Sequence, residues 1–284
     1  MMAGIYYRLA KPGIVYGNSF AAAAGFMLAA HGAPNPMLLL LTLVGLGFVI
    51  GGACVFNNVI DRDIDVRMER TKGRALVTGQ ISPLNALVFG AVLSLIGFTF
   101  LAVFANVLAF AAAAFGFFAY VVLYSLFAKR GTMYGTEIGS LSGAMPPVVG
   151  YAAASGTVDL GAVLLFLILV FWQMPHFFAI ALYRKNEYAA AGIPTVPNRK
   201  GVLFTKRVML AYTALFLAAL IALYHFGYVG KIFLALMSAL GVAWVVMGIR
   251  GFRTPDDSRW ARRMFRFSLI LLVALSMLIA FDAR

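Results

Sequence analysis

Asn57, Asp61 and Asp65 stand four residues apart in the stretch NNVIDRDIDVRMERTKGR, positions 57–74. On a helix this spacing lies along one face, so an amide and two carboxylates can converge on one ion. Asp63 falls on another face. The stretch follows a long apolar run, which places these carboxylates at the C-terminal end of a helix, where the backbone dipole is already negative. Local electrostatics oppose that arrangement. A hard divalent cation reverses the penalty, because carboxylate and amide oxygens are what Mg²⁺ takes when water and substrate phosphate fill its other positions. Arg70, Lys72 and Arg74 follow as donors suited to phosphate oxygens. A solvated loop of mixed charge is the plain alternative. It gives no reason for the four-residue register, and ionisable groups at the end of a membrane helix are functional by default.

A second polar cluster interrupts the apolar run FWQMPHFF at 171–178: Gln173, Pro175 and His176. Proline frees a backbone carbonyl inside a helix, and imidazole can ligate a metal or bind an acid. The flanking aromatics suit an interfacial belt or the faces of a flat ligand. The pair Lys129-Arg130 satisfies the positive-inside rule alone or forms a second phosphate clamp. Glu187 is the only acid between Tyr183 and Lys206. In RGFRTPDDSRWARRMF, at 250–265, Asp256 and Asp257 are adjacent and cannot share a helix face, so that segment reads mainly as a lipid-facing anchor.

The elements that must position these residues are membrane helices. The 284 residues are 63% hydrophobic and 12% charged, with mean hydropathy +0.92, against about 25% charged in soluble domains. The expected fold is all-α, an integral membrane protein of one polytopic domain over 1–284. Nine spans are expected, at 14–30, 37–57, 84–104, 107–127, 135–154, 160–182, 208–226, 230–249 and 265–282, each near the ~20 residues a bilayer requires. The fifth, rich in Gly, Ser and Pro, reads as a closely packed or broken helix lining a cavity. With the N-terminus inside, all of the 23 Lys and Arg except Lys231 and Arg284 fall on the cytoplasmic side, which fixes an orientation with the C-terminus outside. The net charge of +13 therefore reflects topology, anionic lipid and substrate, and no nucleic-acid motif accompanies it. The single Cys54 excludes an internal disulfide. Asn18 and Tyr16 within the first apolar run, and its length, argue for a span and against a cleaved leader.

The stretch NNVIDRDID, followed by MERTKGRAL, resembles the first Asp-rich motif, NxxxDxxxD, of the UbiA superfamily of intramembrane prenyltransferases. KPGIVYGN (11–18), TGQISP (78–83), SLSGAMPPVVGY (140–151), WQMPHF (172–177) and AAGIPTVP (190–197) resemble the branch that farnesylates protohaem IX. The likeness runs from Lys11 to about Pro197 and more weakly to the last helix. It implies a bundle of nine helices around a central cavity, in a bacterial-type inner membrane, that transfers farnesyl from farnesyl diphosphate, with water, to a vinyl group of haem B. By position, Asn57, Asp61 and Asp65 would hold Mg²⁺, Arg70, Arg74, Lys129 and Arg130 would contact the diphosphate, and His176 would bind haem. A haem-modifying enzyme or terminal oxidase would stand downstream. Many members of the superfamily carry a second DxxxD after the sixth span. Here Gln173, His176 and Glu187 occupy that region, a departure that the haem branch shares.

A quinone-type prenyltransferase with an aromatic acceptor is the nearest rival, and WQMPHF argues against it. A lipid phosphotransferase lacks its further motifs here. A polytopic transporter would explain the helices, but its site belongs near the midplane, whereas these charges cluster at one face.

Overall fold

Helices form along the apolar runs and start where the sequence supplies caps. In the computed structural model, which describes residues 2–284, α1 (Met2–Leu9) leads into α2 (Pro12–Ala29), and α3 (Pro36–Ile60) carries the chain to the Asp-rich stretch, where α4 (Arg62–Asp65) adds one more turn. Next come α5 (Pro83–Phe104) and α6 (Val107–Phe118). The latter widens into a π turn with i→i+5 hydrogen bonding over Ala119–Ala128, closed by α7 (Lys129–Gly131). Then follow α8 (Gly135–Gly143), α9 (Met145–Ser155) and α10 (Leu160–Tyr183). Two short helices, α11 (Lys185–Ala190) and α12 (Val196–Arg199), cross one end of the bundle before α13 (Gly201–His225), α14 (Lys231–Arg250) and α15 (Asp257–Asp282). Asn35 and Ser82 accept from the Leu38 and Asn85 N–H groups, each at 3.1 Å, with Pro36 and Pro83 at the first helical position. Both are favourable helix starts.

Among the described residues, seven helical segments are long and apolar enough to cross a membrane: α3, α5, the run from α6 to α7, α10, α13, the run through α14, and α15. The count of nine expected spans is not reached by that measure, for physical reasons. Tyr16, Asn18 and Ser19 dilute the hydropathy of α2, and the 135–154 segment divides at Ala144, ahead of Pro146 and Pro147. Neither α8 nor α9 has the ~20 residues of a full span. The break there agrees with the composition of the segment. Two later helices start earlier than the hydropathy suggests, α13 at Gly201 and α15 at Asp257.

The segment after α14 is more than an anchor. Asp256 caps α15 by accepting from the Arg259 N–H at 2.9 Å, Asp257 pairs with buried Lys206, and the Trp260 indole donates to the Met247 carbonyl at 2.9 Å. The adjacent acids share no face, and each finds its own partner.

Within the bundle α10 is the most enclosed of the long helices. It packs on α8, α9, α13 and α15. Helices α2 and α9 approach backbone to backbone, since a side chain at Gly25 would strike the Pro147 carbonyl and one at Gly150 the Ala22 carbonyl. Small residues are how membrane helices gain such contact. Leu95, Val107 and Phe281 project outward. At the end of the bundle away from the Asp-rich stretch, the Arg284 backbone lies against His31 (2.6 Å) and Tyr228 (3.0 Å).

Candidate active site

A cavity of about 640 Å³ lies between α2, α3, the π turn, α8, α9 and α10, with the segments after α3 and α10 at its mouth. Those two segments are clasped by apolar contact: Ile64 and Met68 pack with Ala191, Ile193 and Tyr188. The cavity has two chemically different walls. One carries Lys11, Asn57, Asp61, Asp65, Arg70, Arg74 and Lys129; the other carries Trp172, Gln173, His176 and Phe177.

The four-residue register survives the end of α3, because the Asp61 N–H donates to the Asn57 carbonyl and the Asp65 N–H to the Asp61 carbonyl, each at 2.9 Å. Lys11 Nζ donates to Asn57 Oδ1 at 2.5 Å. Lysine has no acceptor, so this contact fixes which end of the amide is oxygen. The Asn57 amide nitrogen then donates to Asp61 Oδ2 at 2.8 Å and to Ser125 Oγ at 3.0 Å, and Ser125 itself donates to the Tyr120 carbonyl. Lys129 Nζ reaches Asp61 Oδ2, and an Arg74 guanidinium nitrogen reaches Asp65 Oδ2, each at 2.5 Å. Asp61 is 0% exposed and Asp65 2%. Carboxylates so enclosed require such partners, since an unpaired buried charge costs several kcal/mol.

One oxygen is left over. Asp61 Oδ1 is buried and has no hydrogen-bond partner, an expensive state for a carboxylate oxygen unless something binds it. Among the described residues, no group of three or more His, Cys, Asp or Glu side chains is arranged as metal ligands. The donor set here is instead two carboxylates and an amide, facing a cavity with room for water and phosphate. That set suits Mg²⁺, which keeps several waters and uses few protein ligands.

Arg70 stands on the same wall, whereas Lys72 turns outward to Glu69 at 2.7 Å. Arg130 is not on the cavity wall. Its guanidinium grips Asp63 at 2.6 and 2.7 Å and the Ile60 carbonyl at 2.6 Å, and hydrogen bonds from Arg130 hold the Asp63 carboxyl below its usual range. Asp63 does lie on the other face, and it draws Arg130 with it. The structure thus brings Asn57, Asp61, Asp65, Arg70, Arg74, Lys129 and His176 to one cavity and leaves Arg130 outside.

Lys11 and Ser125 are the site residues that sequence reasoning missed. Lys11 adopts a left-handed backbone (φ 50°) just before Pro12, a conformation costing on the order of 1–3 kcal/mol in a residue other than glycine and concentrated at functional sites. Burial pushes its ammonium down to about 8. Its signal was present in KPG, a charge fixed against a helix start, but the positive-inside rule accounted for it equally well.

On the opposite wall, His176 stacks on Trp172 (centroids 4.7 Å apart, planes at 25°) and meets Phe265 and the edge of Phe177 at 4.8 and 5.0 Å. Its Nδ1 lies 2.7 Å from Ser268 Oγ. Gln173 ties α10 to α8 by donating to the Ser140 carbonyl at 3.2 Å and to Leu169 at 3.0 Å. Glu187 pairs with Arg184 at 2.9 Å, and among the described residues Asp61 and Asp65 are the carboxylates that line the cavity.

An all-helical membrane bundle with a carboxylate, amide and cation cluster at the mouth of an internal cavity has the architecture of an intramembrane prenyltransferase. Residues 18–270 match the UbiA prenyltransferase family, and the chain belongs to it. It is 50% identical over 277 residues to protoheme IX farnesyltransferase 2 of Pseudomonas aeruginosa, covering 98% of this chain and 94% of that protein. It is 46% identical over 281 residues to protoheme IX farnesyltransferase of Protochlamydia amoebophila, covering 99% of each. Among solved structures, digeranylgeranylglyceryl phosphate synthase superposes with a TM-score of 0.82 at 18% identity, covering 98% of this chain and 97% of that one. A UbiA homologue from Archaeoglobus fulgidus bound to DMAPP and Mg²⁺ gives 0.73 at 16% identity, covering 96% and 98%.

Proposed function

We propose that this prenyltransferase joins the farnesyl group of farnesyl diphosphate to a vinyl group of haem B, with addition of water, yielding haem O and pyrophosphate. The observation that carries this reading is the single cavity with two walls, one suited to a metal diphosphate and the other aromatic with an imidazole. The full-length likeness to two protoheme IX farnesyltransferases supports the same choice of substrates.

Asn57, Asp61 and Asp65 would hold Mg²⁺, which supplies charge neutralisation for the departing pyrophosphate. Arg74 and Lys129 would turn from the carboxylates to the diphosphate oxygens, joined by Arg70 from the same wall, stabilising charge as it develops. The apolar and aromatic lining, Phe117 and Val149 among it, keeps water from the farnesyl carbon while its bond to oxygen breaks. The vinyl group supplies the electron pair for the new carbon–carbon bond. Water captures the cation left on the haem side chain and loses a proton, giving the hydroxyl. No side-chain nucleophile is required. His176 binds the haem, and Arg130 fastens α7 to the end of α3 through Asp63 and the Ile60 carbonyl.

The mouth faces the cytoplasm of a bacterial-type inner membrane, with the C-terminus outside, because nearly all Lys and Arg lie at that end. Bilayer lipid surrounds the bundle. A haem-modifying enzyme or terminal oxidase takes up the product.

The test is incubation of purified protein with haem B, farnesyl diphosphate and Mg²⁺, followed by haem mass spectrometry. The expected product has gained one farnesyl group and one water. Consumption of farnesyl diphosphate only when an aromatic or quinone precursor replaces haem would overturn the acceptor.

A further inference from the structure

We propose that Ser268 on α15 is a positioning residue that locks His176 in the tautomer protonated at Nδ1, so that Nε2 offers its lone pair to the haem iron and not a proton to a propionate. The iron half of this rests on the haem reading above.

The argument begins with one proton. Ser268 Oγ donates to the Phe265 carbonyl, three residues back on α15, at 2.6 Å. A hydroxyl has a single hydrogen and a carbonyl can only accept, so this contact and the one to His176 Nδ1, at 2.7 Å, are both satisfied only if Oγ donates to the carbonyl and accepts from Nδ1. The opposite arrangement would leave two bare oxygens 2.6 Å apart. Nδ1 therefore carries the hydrogen. The ring is enclosed by Trp172, Phe177 and Phe265, and no acidic side chain bonds it. In the singly protonated ring the other nitrogen is a bare acceptor. Nε2 makes no hydrogen bond among the described residues, and it is not one of the sealed buried atoms without a partner. His176 lines the cavity.

Ser268 also fixes the plane of the ring. Its backbone carbonyl accepts from the Trp172 indole at 2.8 Å, and Trp172, one helical turn before His176, lies almost parallel to the imidazole. One residue of α15 thus holds two stacked rings of α10, through its main chain and its side chain. An imidazole held by its far nitrogen, with its lone pair directed at open space, has the arrangement found where histidine ligates metal. A propionate would need an N–H at Nε2, which this hydrogen-bond chain withholds.

The lock can be read without haem. The protein has three histidines, His31, His176 and His225. Nitrogen NMR of the full chain labelled with ¹⁵N-histidine in lipid nanodiscs, with His176→Gln to assign the signal, reports the tautomer directly. The expected result is Nδ1–H at His176 in the unaltered protein, loss of that single tautomer in Ser268→Ala, and its return in Ser268→Thr, which keeps the hydroxyl. Ferric haem B is then titrated and read by electron paramagnetic resonance. The unaltered protein should show an axial imidazole nitrogen, and Ser268→Ala should bind haem ~10–100-fold more weakly while Mg²⁺-dependent binding of farnesyl diphosphate stays unchanged.

A proton on Nε2 in the unaltered protein overturns the proposal, and that measurement needs no variant to fold. An unchanged tautomer and haem spectrum in Ser268→Ala overturns it too. Nδ1–H at His176 in a protein that binds no haem overturns the iron role together with the haem reading, and the NMR result separates that outcome from failure of the lock.

Discussion

At the mouth of the cavity, Asp61 and Asp65 are buried charges, each met by a cation from elsewhere in the chain, Lys129 and Arg74. On the far wall, His176 is satisfied by one hydroxyl and three aromatic neighbours. The difference lies in what each wall can exchange. Ion pairs in a confined site can be traded, the carboxylates passing to a metal and the cations to phosphate with little change in net charge, and this offsets the desolvation that isolated charges would suffer. An imidazole held by a hydroxyl has nothing to trade and can only accept a ligand at its free nitrogen. The two walls should therefore fail independently.

The largest effect is expected at the carboxylates. Asp61→Asn or Asp65→Asn keeps the shape and removes the charge, and turnover should fall by at least ~10²-fold, the loss typical when one preorganised electrostatic group is removed. Thermal unfolding should stay cooperative, and chelation of the unaltered protein should abolish turnover until Mg²⁺ is restored. Full activity in either variant would take this wall out of the reaction.

Next in size is Arg74→Ala, expected to weaken binding of labelled farnesyl diphosphate by ~1.5–3 kcal/mol, the worth of a charge-assisted hydrogen bond. Arg74→Lys should rescue only part, lacking the planar fork that holds phosphate by two bonds. Unchanged affinity would reduce Arg74 to a partner of Asp65.

His176→Ala sharpens the comparison directly: haem affinity should drop about tenfold or more, as for a lost metal ligand or its support, with binding of farnesyl diphosphate unchanged. Loss of diphosphate binding with an unaltered haem spectrum would move His176 to the other wall.

The smallest effect is assigned to Arg130→Ala, because its partner Asp63 is exposed: ~0.2–1 kcal/mol of stability, with turnover nearly unchanged. The Asp63 carboxyl is held low when folded, so that contribution is present above its unfolded value, about 3.9, and disappears as acid protonates it. The unfolding curves of the two proteins should converge at low pH. A large loss of turnover would return Arg130 to the diphosphate.

The Asp-rich register was legible because helical periodicity is local, and here it continues through Asp61 although α3 formally ends at Ile60. The broken fifth segment was legible from Pro146 and Pro147. Lys11 and Ser125 were not, since their meaning arises only when they meet Asn57 from 46 and 68 residues away. Lys129 and Arg130 read alike in sequence, yet neighbours on a helix point about 100° apart, and one enters the cavity while the other takes Asp63.

The wide turn at Ala119–Ala128 gives this helix a phase to keep. The Lys129 N–H bonds five residues back, to the Tyr124 carbonyl, so residues beyond the turn are rotated relative to a regular helix of the same length. Inserting one residue here, with the winding otherwise kept, would turn Lys129 by about 100° away from Asp61 and leave Ala128 in its place. Helix length here is a functional quantity in its own right. Substitutions at outward-facing Leu126 and Phe127 should be absorbed by lipid, whereas inserting one alanine between them should silence the enzyme without touching a single charged side chain.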